Sequence, residues 1–285
     1  MSAEDTDPTH ATALELSRRA FVGISAATAG LGAVGAPAQT TFGGPHPPIV
    51  SETDPAITIE NVRPLAPGLP PCYAARPSRP QPGLAAIVVI MHVWGVDESI
   101  RDVVRRLAKA GTAAIAPNLY FRLDALSGDD RTDSDAFRPF AKQLVREQVD
   151  GDVRSAAQWV DKTFPQSKIG VLGFCMGGRI ALQQAIDNSD VFAAVIPFYG
   201  AVEGINPVEI RIPVCGSYGA RDTSIPAAGV RTFQSELRAP NDIKIYDSAG
   251  HGFFDDRRPS YVASAATDAW ERTVTFIERY LGAAR

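Results

Sequence analysis

Apolar positions along this chain gather into unbroken runs separated by amphipathic stretches. "AAIVVIMHV" (85–93), "TAAIAPNLY" (112–120), "KIGVLGF" (168–174), "FAAVIPFYG" (192–200) and "IPVCGSYG" (212–219) are continuous rather than alternating. Such runs read as strands buried on both faces. Between the first two, "IRDVVRRLAKAG" (100–111) carries Val103, Val104, Leu107 and Ala108 at helical spacing and stops at Gly111. Residues 141–163, with Leu144, Val149, Ala156 and Val160, predict two helical pieces around Gly151. A helix is expected from Met176. Another near 226–238 precedes the strand-like "IKIYDSA" (243–249), and a last one covers 262–281. Strands alternating with helices predict an α/β fold whose central, mostly parallel sheet has helices on both faces. Right-handed crossovers then bring the strand C-termini to one edge, where sites form.

The pattern is absent before residue 56. "LSRRAFVGISAATAGLGAVGAPAQ" begins at Leu16, and Arg18 and Arg19 form a twin-arginine pair followed closely by Phe21 and Val22. No Lys, Arg, Asp or Glu occurs from Ala20 to Ser51, and Ala36-Pro37-Ala38 supplies a small-residue cleavage pattern. This resembles a twin-arginine export signal. It is too poor in Leu, Ile and Phe for a strong membrane span. The expected organisation is a signal peptide over 1–38, a Pro- and Gly-rich linker over 39–55 and one domain over 56–285. A mature protein working in the periplasm follows, partnered by the twin-arginine export machinery and meeting the membrane only during export.

Composition changes this picture little. With 285 residues, 45% of them hydrophobic, the chain has a sizeable core, and a net charge of -4 without any basic block sets nucleic acid aside. Cys72, Cys175 and Cys215 show neither a CxxC nor a metal-ligand spacing, so no metal site is expected. In an oxidising compartment a Cys72–Cys215 disulfide is conceivable; two separate buried thiols are the plainer reading.

Three residues follow three late strands. Cys175 comes after "KIGVLGF" in the pattern Gly-x-Cys-x-Gly, Asp222 follows "IPVCGSYGAR", and His251 follows "IKIYDSAG". Each has a bland reading alone: a buried thiol, a turn or cap residue, a loop histidine. In the order Cys, Asp, His, past strand ends that share an edge, they form a nucleophile, an orienting carboxylate and a base. Gly173 and Gly177 leave room for a sharp strand-to-helix elbow, and Gly178 lets the helix pack close to the sheet. The helix N-terminus favours a thiolate, and the backbone N–H of Met176 can bind an oxyanion. His10 and His46 fall before the domain, so a histidine base is either His92 or His251.

Taken together, these residues resemble the dienelactone hydrolase family, an α/β-hydrolase branch with a cysteine nucleophile. The resemblance runs from about 56 to 283 and rests on "IVVIMHVWGVDESIRDVVRRLAKAG", "APNLYFR", "IGVLGFCMGGR", "GARDTSIP", "AGHGFFDD" and "YVASAATDAWERTVTFI". It implies a carboxylic ester hydrolase acting on a small-molecule ester or lactone through a Cys175 thioester, with no cofactor. It further implies His251 as base and then acid, Asp222 orienting it, and the Val93 backbone N–H as second oxyanion donor. Arg122 in "LYFR" matches a family arginine that binds a substrate carboxylate. Two positions depart from the family: His92 stands where its best-known members have a glutamate, and Asp255 where they have an arginine four residues after the catalytic histidine. His92 is expected to line the pocket, to pair with Cys175, or to pack beneath Trp94. Strongly anionic substrates are disfavoured by Asp255. Trp94, Tyr120, Phe121, Phe253 and Phe254 suggest a partly apolar pocket. The competing readings are a non-catalytic ligand-binding protein on a hydrolase scaffold, motivated by the two departures, and a peroxide-reactive thiol protein, which lacks an evident resolving cysteine.

Overall fold

The computed structural model describes residues 49–62, 68–125, 128–129 and 133–282. The twin-arginine pair, the cleavage pattern and most of the expected linker lie outside them. Eight strands form one sheet: β1 (Ile57–Val62), β2 (Cys72–Pro77), β3 (Ala86–Ile90), β4 (Ala113–Pro117), β5 (Ile169–Phe174), β6 (Ala194–Phe198), β7 (Val214–Gly219) and β8 (Asn241–Tyr246). Their spatial order is β1-β2-β4-β3-β5-β6-β7-β8. The pairs β1/β2 and β2/β4 are antiparallel, and all others are parallel. Every residue of β3 to β7 is buried, so both sheet faces are covered. The cover comes chiefly from α1 (Glu98–Lys109), α3 (Arg146–Thr163), α4 (Met176–Asp187), α5 (Ala227–Glu236) and α6 (Ala263–Leu281), with a short α2 (Arg138–Ala141) before α3. This is the α/β-hydrolase architecture implied by the sequence.

Two elements differ from the sequence expectation. Residues 146–163 form one continuous helix through Gly151. A glycine costs an exposed helix only about 1 kcal/mol, and the buried stripe of Val149, Val153, Ala156 and Val160 outweighs it. The antiparallel β1/β2 pair extends the sheet beyond the parallel strands; β1 is only partly covered, each strand carries a charged residue, and their pattern does not read as a buried run.

The last part of the expected linker is not a free tether. Val50 is buried, and its N–H donates to Asp102 Oδ1 (2.8 Å) while its carbonyl accepts from Arg105 Nε (2.6 Å). Ile49 N–H reaches Asp102 Oδ2 (3.2 Å), and Arg106 Nε donates to the same oxygen (2.8 Å). Asp102 thus ties the N-terminal strap to α1. Asp102→Ala removes the acceptor of the two strap amides and one of the two carboxylates on Arg106, which keeps Asp256, while Arg105 keeps Glu98. The expected loss is about 1–3 kcal/mol of stability in chemical denaturation; an unchanged midpoint would mean that the strap contributes nothing.

Cys72 and Cys215 are free, buried thiols. Strands β4, β3, β5 and β6 lie between β2 and β7, and at about 4.8 Å per strand the two cysteines are far beyond disulfide reach. Of the two readings, the separate thiols hold.

Candidate active site

Strand register sets the site. Ile90 pairs with Gly173 across β3/β5, and Phe174 pairs with Phe198 across β5/β6. Continuing one or two residues past these pairs places His92, Cys175 and Tyr199 side by side at the C-terminal edge. Cys175 is the elbow between β5 and α4, with φ 54° and ψ -117°. That conformation is strained for a residue with a side chain, and strain of this kind gathers at functional sites. It is held by the Cys175 N–H, which donates to the Phe198 carbonyl (3.0 Å), and by the Gly178 N–H, which donates back to the Cys175 carbonyl (3.0 Å). Small neighbours are obligatory: a Cβ at Gly177 would run into the Ile90 and Met91 carbonyls, and one at Gly178 would lie 2.7 Å from the Phe198 carbonyl.

His251 Nε2 is 3.0 Å from Cys175 Sγ, and its Nδ1 is 2.7 Å from Asp222 Oδ2. Asp222 is buried, and its other oxygen accepts from the Ser224 and Ile225 N–H groups (2.8 and 3.0 Å), which orients the carboxylate. Burial alone would lower the His251 pKa, but its hydrogen bonds to Asp222 and Cys175 raise it to about 10. Burial alone would raise the Cys175 thiol. The hydrogen bond and charge of His251, the Met176 N–H and the charge of His92 reverse that, so it falls below the ordinary thiol value. Both shifts act in the direction of a thiolate–imidazolium pair. Alkylation of Cys175 by neutral iodoacetamide is expected to be flat through neutral pH. An ordinary thiol would instead gain rate through about pH 8.5. The turnover profile is expected to lose activity as His251 gives up its proton near pH 10. A single rise centred on the ordinary thiol value would contradict the resting ion pair.

These residues open into a cavity of about 540 Å³. Val93, Trp94, Cys175, Met176, Tyr199 and His251 line its reactive end, and Arg138, Lys142 and Arg179 are also among its lining residues. Tyr120 supports this end from outside, its hydroxyl donating to the Val93 carbonyl (3.0 Å). Of the five aromatic residues singled out in the sequence, Trp94 alone lines this cavity; Phe253 and Phe254 are core, with Phe254 stacked on Phe174 (5.4 Å between centroids). Tyr199 was not foreseen. Its backbone has φ 37°, and its ring meets His251 edge-on at 5.2 Å. The positive φ at the end of an apolar strand, next to Gly200, leaves no signal in sequence.

Arg122 is not brought to the cavity. Both of its terminal nitrogens hold Asp152 (2.6 and 2.8 Å), one also reaches the Gly68 carbonyl (2.6 Å), and the guanidinium lies 4.0 Å from the centre of the Phe121 ring. Asp152, thirty residues away, claims the charge that the resemblance assigned to a substrate. Arg122→Ala is accordingly expected to leave the KM for a carboxylate-bearing ester within about twofold while lowering stability by about 1–3 kcal/mol through the unpaired buried Asp152. A large KM increase without loss of stability would restore the substrate role.

His92 lines the cavity but does not pair with Cys175. Its Nε2 is 2.8 Å from Asp97 Oδ1 and its Nδ1 is 3.6 Å from Asp255 Oδ2. Trp94 meets the ring edge-on at 4.9 Å. Arg258, displaced by three residues from Asp255, completes the cluster: it donates to Asp97 Oδ2 (2.5 Å) and stacks over Trp94 at 4.3 Å. Asp255 also accepts from the Ser99 hydroxyl (2.5 Å).

Comparison with known proteins agrees with this architecture. Residues 71–281 match the dienelactone hydrolase family. A Yersinia pestis protein bearing the name "Putative carboxymethylenebutenolidase" is 37% identical over 228 residues, which cover 74% of this chain and 84% of that protein. One of the same name from Methylorubrum extorquens is 34% identical over 302 aligned residues, spanning 98% of this chain and 99% of the relative. The solved structure of a "Putative Dienelactone Hydrolase" from Klebsiella pneumoniae is 33% identical with a TM-score of 0.72, covering 79% of this chain and all of the other. The chain belongs to the dienelactone hydrolase family and is a hydrolase with that family's kind of activity.

Proposed function

We propose that the protein is an exported hydrolase that cleaves a small carboxylic ester or lactone through a Cys175 thioester. The observation that supports this best is the contiguous chain from Cys175 Sγ through His251 to Asp222, with links of 3.0 and 2.7 Å, at the edge of a cavity large enough for a small substrate. In this reading the thiolate attacks the carbonyl carbon, and the carbonyl π pair moves onto oxygen, where the Met176 and Val93 N–H groups receive it. The C–O bond to the leaving group breaks as the oxyanion collapses, and the His251 imidazolium gives its proton to the departing alkoxide. Neutral His251 then takes a proton from water, the hydroxide attacks the thioester, and the C–S bond breaks to return the thiolate. Asp222 keeps Nδ1 protonated throughout and supports the positive ring. In a lactone the leaving group stays tethered, so one ring-opened product results.

Hydrolysis of 4-nitrophenyl acetate and of a dienelactone by the folded protein tests the reading. Turnover of either supports it; the absence of turnover on both, with Cys175 still open to alkylation, would overturn it. The twin-arginine sequence supports a periplasmic site of action. Replacing Arg18 and Arg19 by Lys is expected to retain the protein in the cytoplasm on cell fractionation; unaltered export would refute that route.

A further inference from the structure

The buried cluster around His92 forms one wall of the cavity, and the proposed reaction leaves it without a task. The ring lies two residues past β3 and Cys175 one residue past β5, in matching register on adjacent strands about 4.8 Å apart. His92 is 3% exposed, and both of its nitrogens face carboxylates: Asp97, the N-cap of α1, and Asp255, in the turn after His251. Asp97 places one oxygen on His92 and the other on Arg258, so a single carboxylate bridges two cations. Among the described residues Asp255 Oδ2 accepts no hydrogen bond, and it lies 3.3 Å from Arg258 Nε as well as 3.6 Å from His92. From α1, Ser99 donates to Asp255, and Arg106 is paired with Asp256 at 2.9 Å. Tyr199 and Cys175 face the cluster from the sheet edge. Arg258 balances only one of the two buried carboxylates, and the second negative charge faces the imidazole.

We propose that His92, held as a buried imidazolium between Asp97 and Asp255, is a positioning residue that keeps Cys175 in its thiolate form and favours the oxyanion forming beside Val93. The charges agree in direction. Burial alone would lower the His92 pKa, but Asp97 and then Asp255 raise it. Burial pushes the Asp255 carboxyl up, against the opposing pull of His92. His92 is among the groups that lower the Cys175 thiol. Acting on the thiol and not on any chosen substrate, this role is independent of the ester or lactone cleaved.

The inference rests on Cys175 as nucleophile, and the two fail separately. Turnover surviving in Cys175→Ala would overturn the function and leave a His92-dependent thiolate standing. The direct test is iodoacetamide alkylation against pH for the wild type, His92→Gln and His92→Lys. Cys72 and Cys215 stay silent, because burial pushes both thiols up to about 12. In His92→Gln the rate at about pH 6 is expected to fall about tenfold and to converge with the wild type at alkaline pH. His92→Lys, which keeps the charge, is expected to recover part of the loss, as a purely structural role would not allow. An unchanged profile in folded His92→Gln overturns the proposal. If that variant does not fold, imidazole nitrogen resonances of the wild type decide: His92 still protonated at about pH 7.5, above the ordinary value, sustains the proposal, and a neutral ring there overturns it.

Discussion

Cys175→Ala is expected to lose ester turnover by at least about 10⁴-fold while keeping fold and substrate affinity. The reason is local. Cys175 is the elbow residue, and its sulfur is the group hydrogen-bonded to His251 Nε2, at 3.0 Å. The elbow itself survives the substitution, because the turn is fixed by backbone hydrogen bonds and by the glycines around it, none of which uses the thiol. Alanine tolerates the positive φ no worse than cysteine does, so melting temperature should hardly move. His251 loses one of the groups that raise its pKa but keeps Asp222. Residual activity is then that of the oxyanion donors and binding alone. Turnover within tenfold of the wild type would show that the thiol is a bystander, and would move the chemistry to another group or to a binding role.

Asp222→Asn is expected to lower kcat by about 10⁴-fold, with KM falling alongside it as acyl-enzyme accumulates. The carboxylate makes two kinds of contact. Oδ1 accepts two backbone N–H groups, and an amide oxygen can still do so, so the turn and the fold persist. Oδ2 faces His251 Nδ1 at 2.7 Å, where an amide NH₂ would confront a ring N–H, donor against donor. The imidazole then favours the tautomer with its proton on Nε2 and cannot take a proton from water during deacylation. The loss should therefore fall on the thioester step, so that acyl-enzyme accumulates more in the variant than in the wild type. A loss of tenfold or less would leave Asp222 only the turn-capping role that a lone Asp after a strand ordinarily has.

The strand–helix alternation and the three catalytic candidates were legible because they obey local rules. A parallel sheet buried on both faces must read as unbroken apolar runs, and "IVVI", "AAIA", "GVLGF" and "AVIPF" do. An elbow needs glycine on both sides, and "GFCMGG" supplies it. What escaped the sequence depends on long-range partners. Arg122 looked available until Asp152, on α3, proved to hold it with two hydrogen bonds. His92 and Asp255 looked like two separate departures from the family pattern, yet the fold sets them 3.6 Å apart in one cluster with Asp97 and Arg258. Gly151 marked a helix break that packing overrides, and Val50 sat in a Pro-rich stretch whose anchoring depends on Asp102 and Arg105, more than fifty residues away.

In the proposed reaction Cys175 carries the acyl group. Rapid quenching of the wild type during turnover of 4-nitrophenyl acetate, followed by peptide mass analysis, tests it directly. The expected result is an acetyl group on the peptide containing Cys175, formed with a burst of nitrophenolate and lost at the rate of steady turnover. Turnover with no acyl group on that cysteine, or with the acyl group on another residue, would contradict the claim.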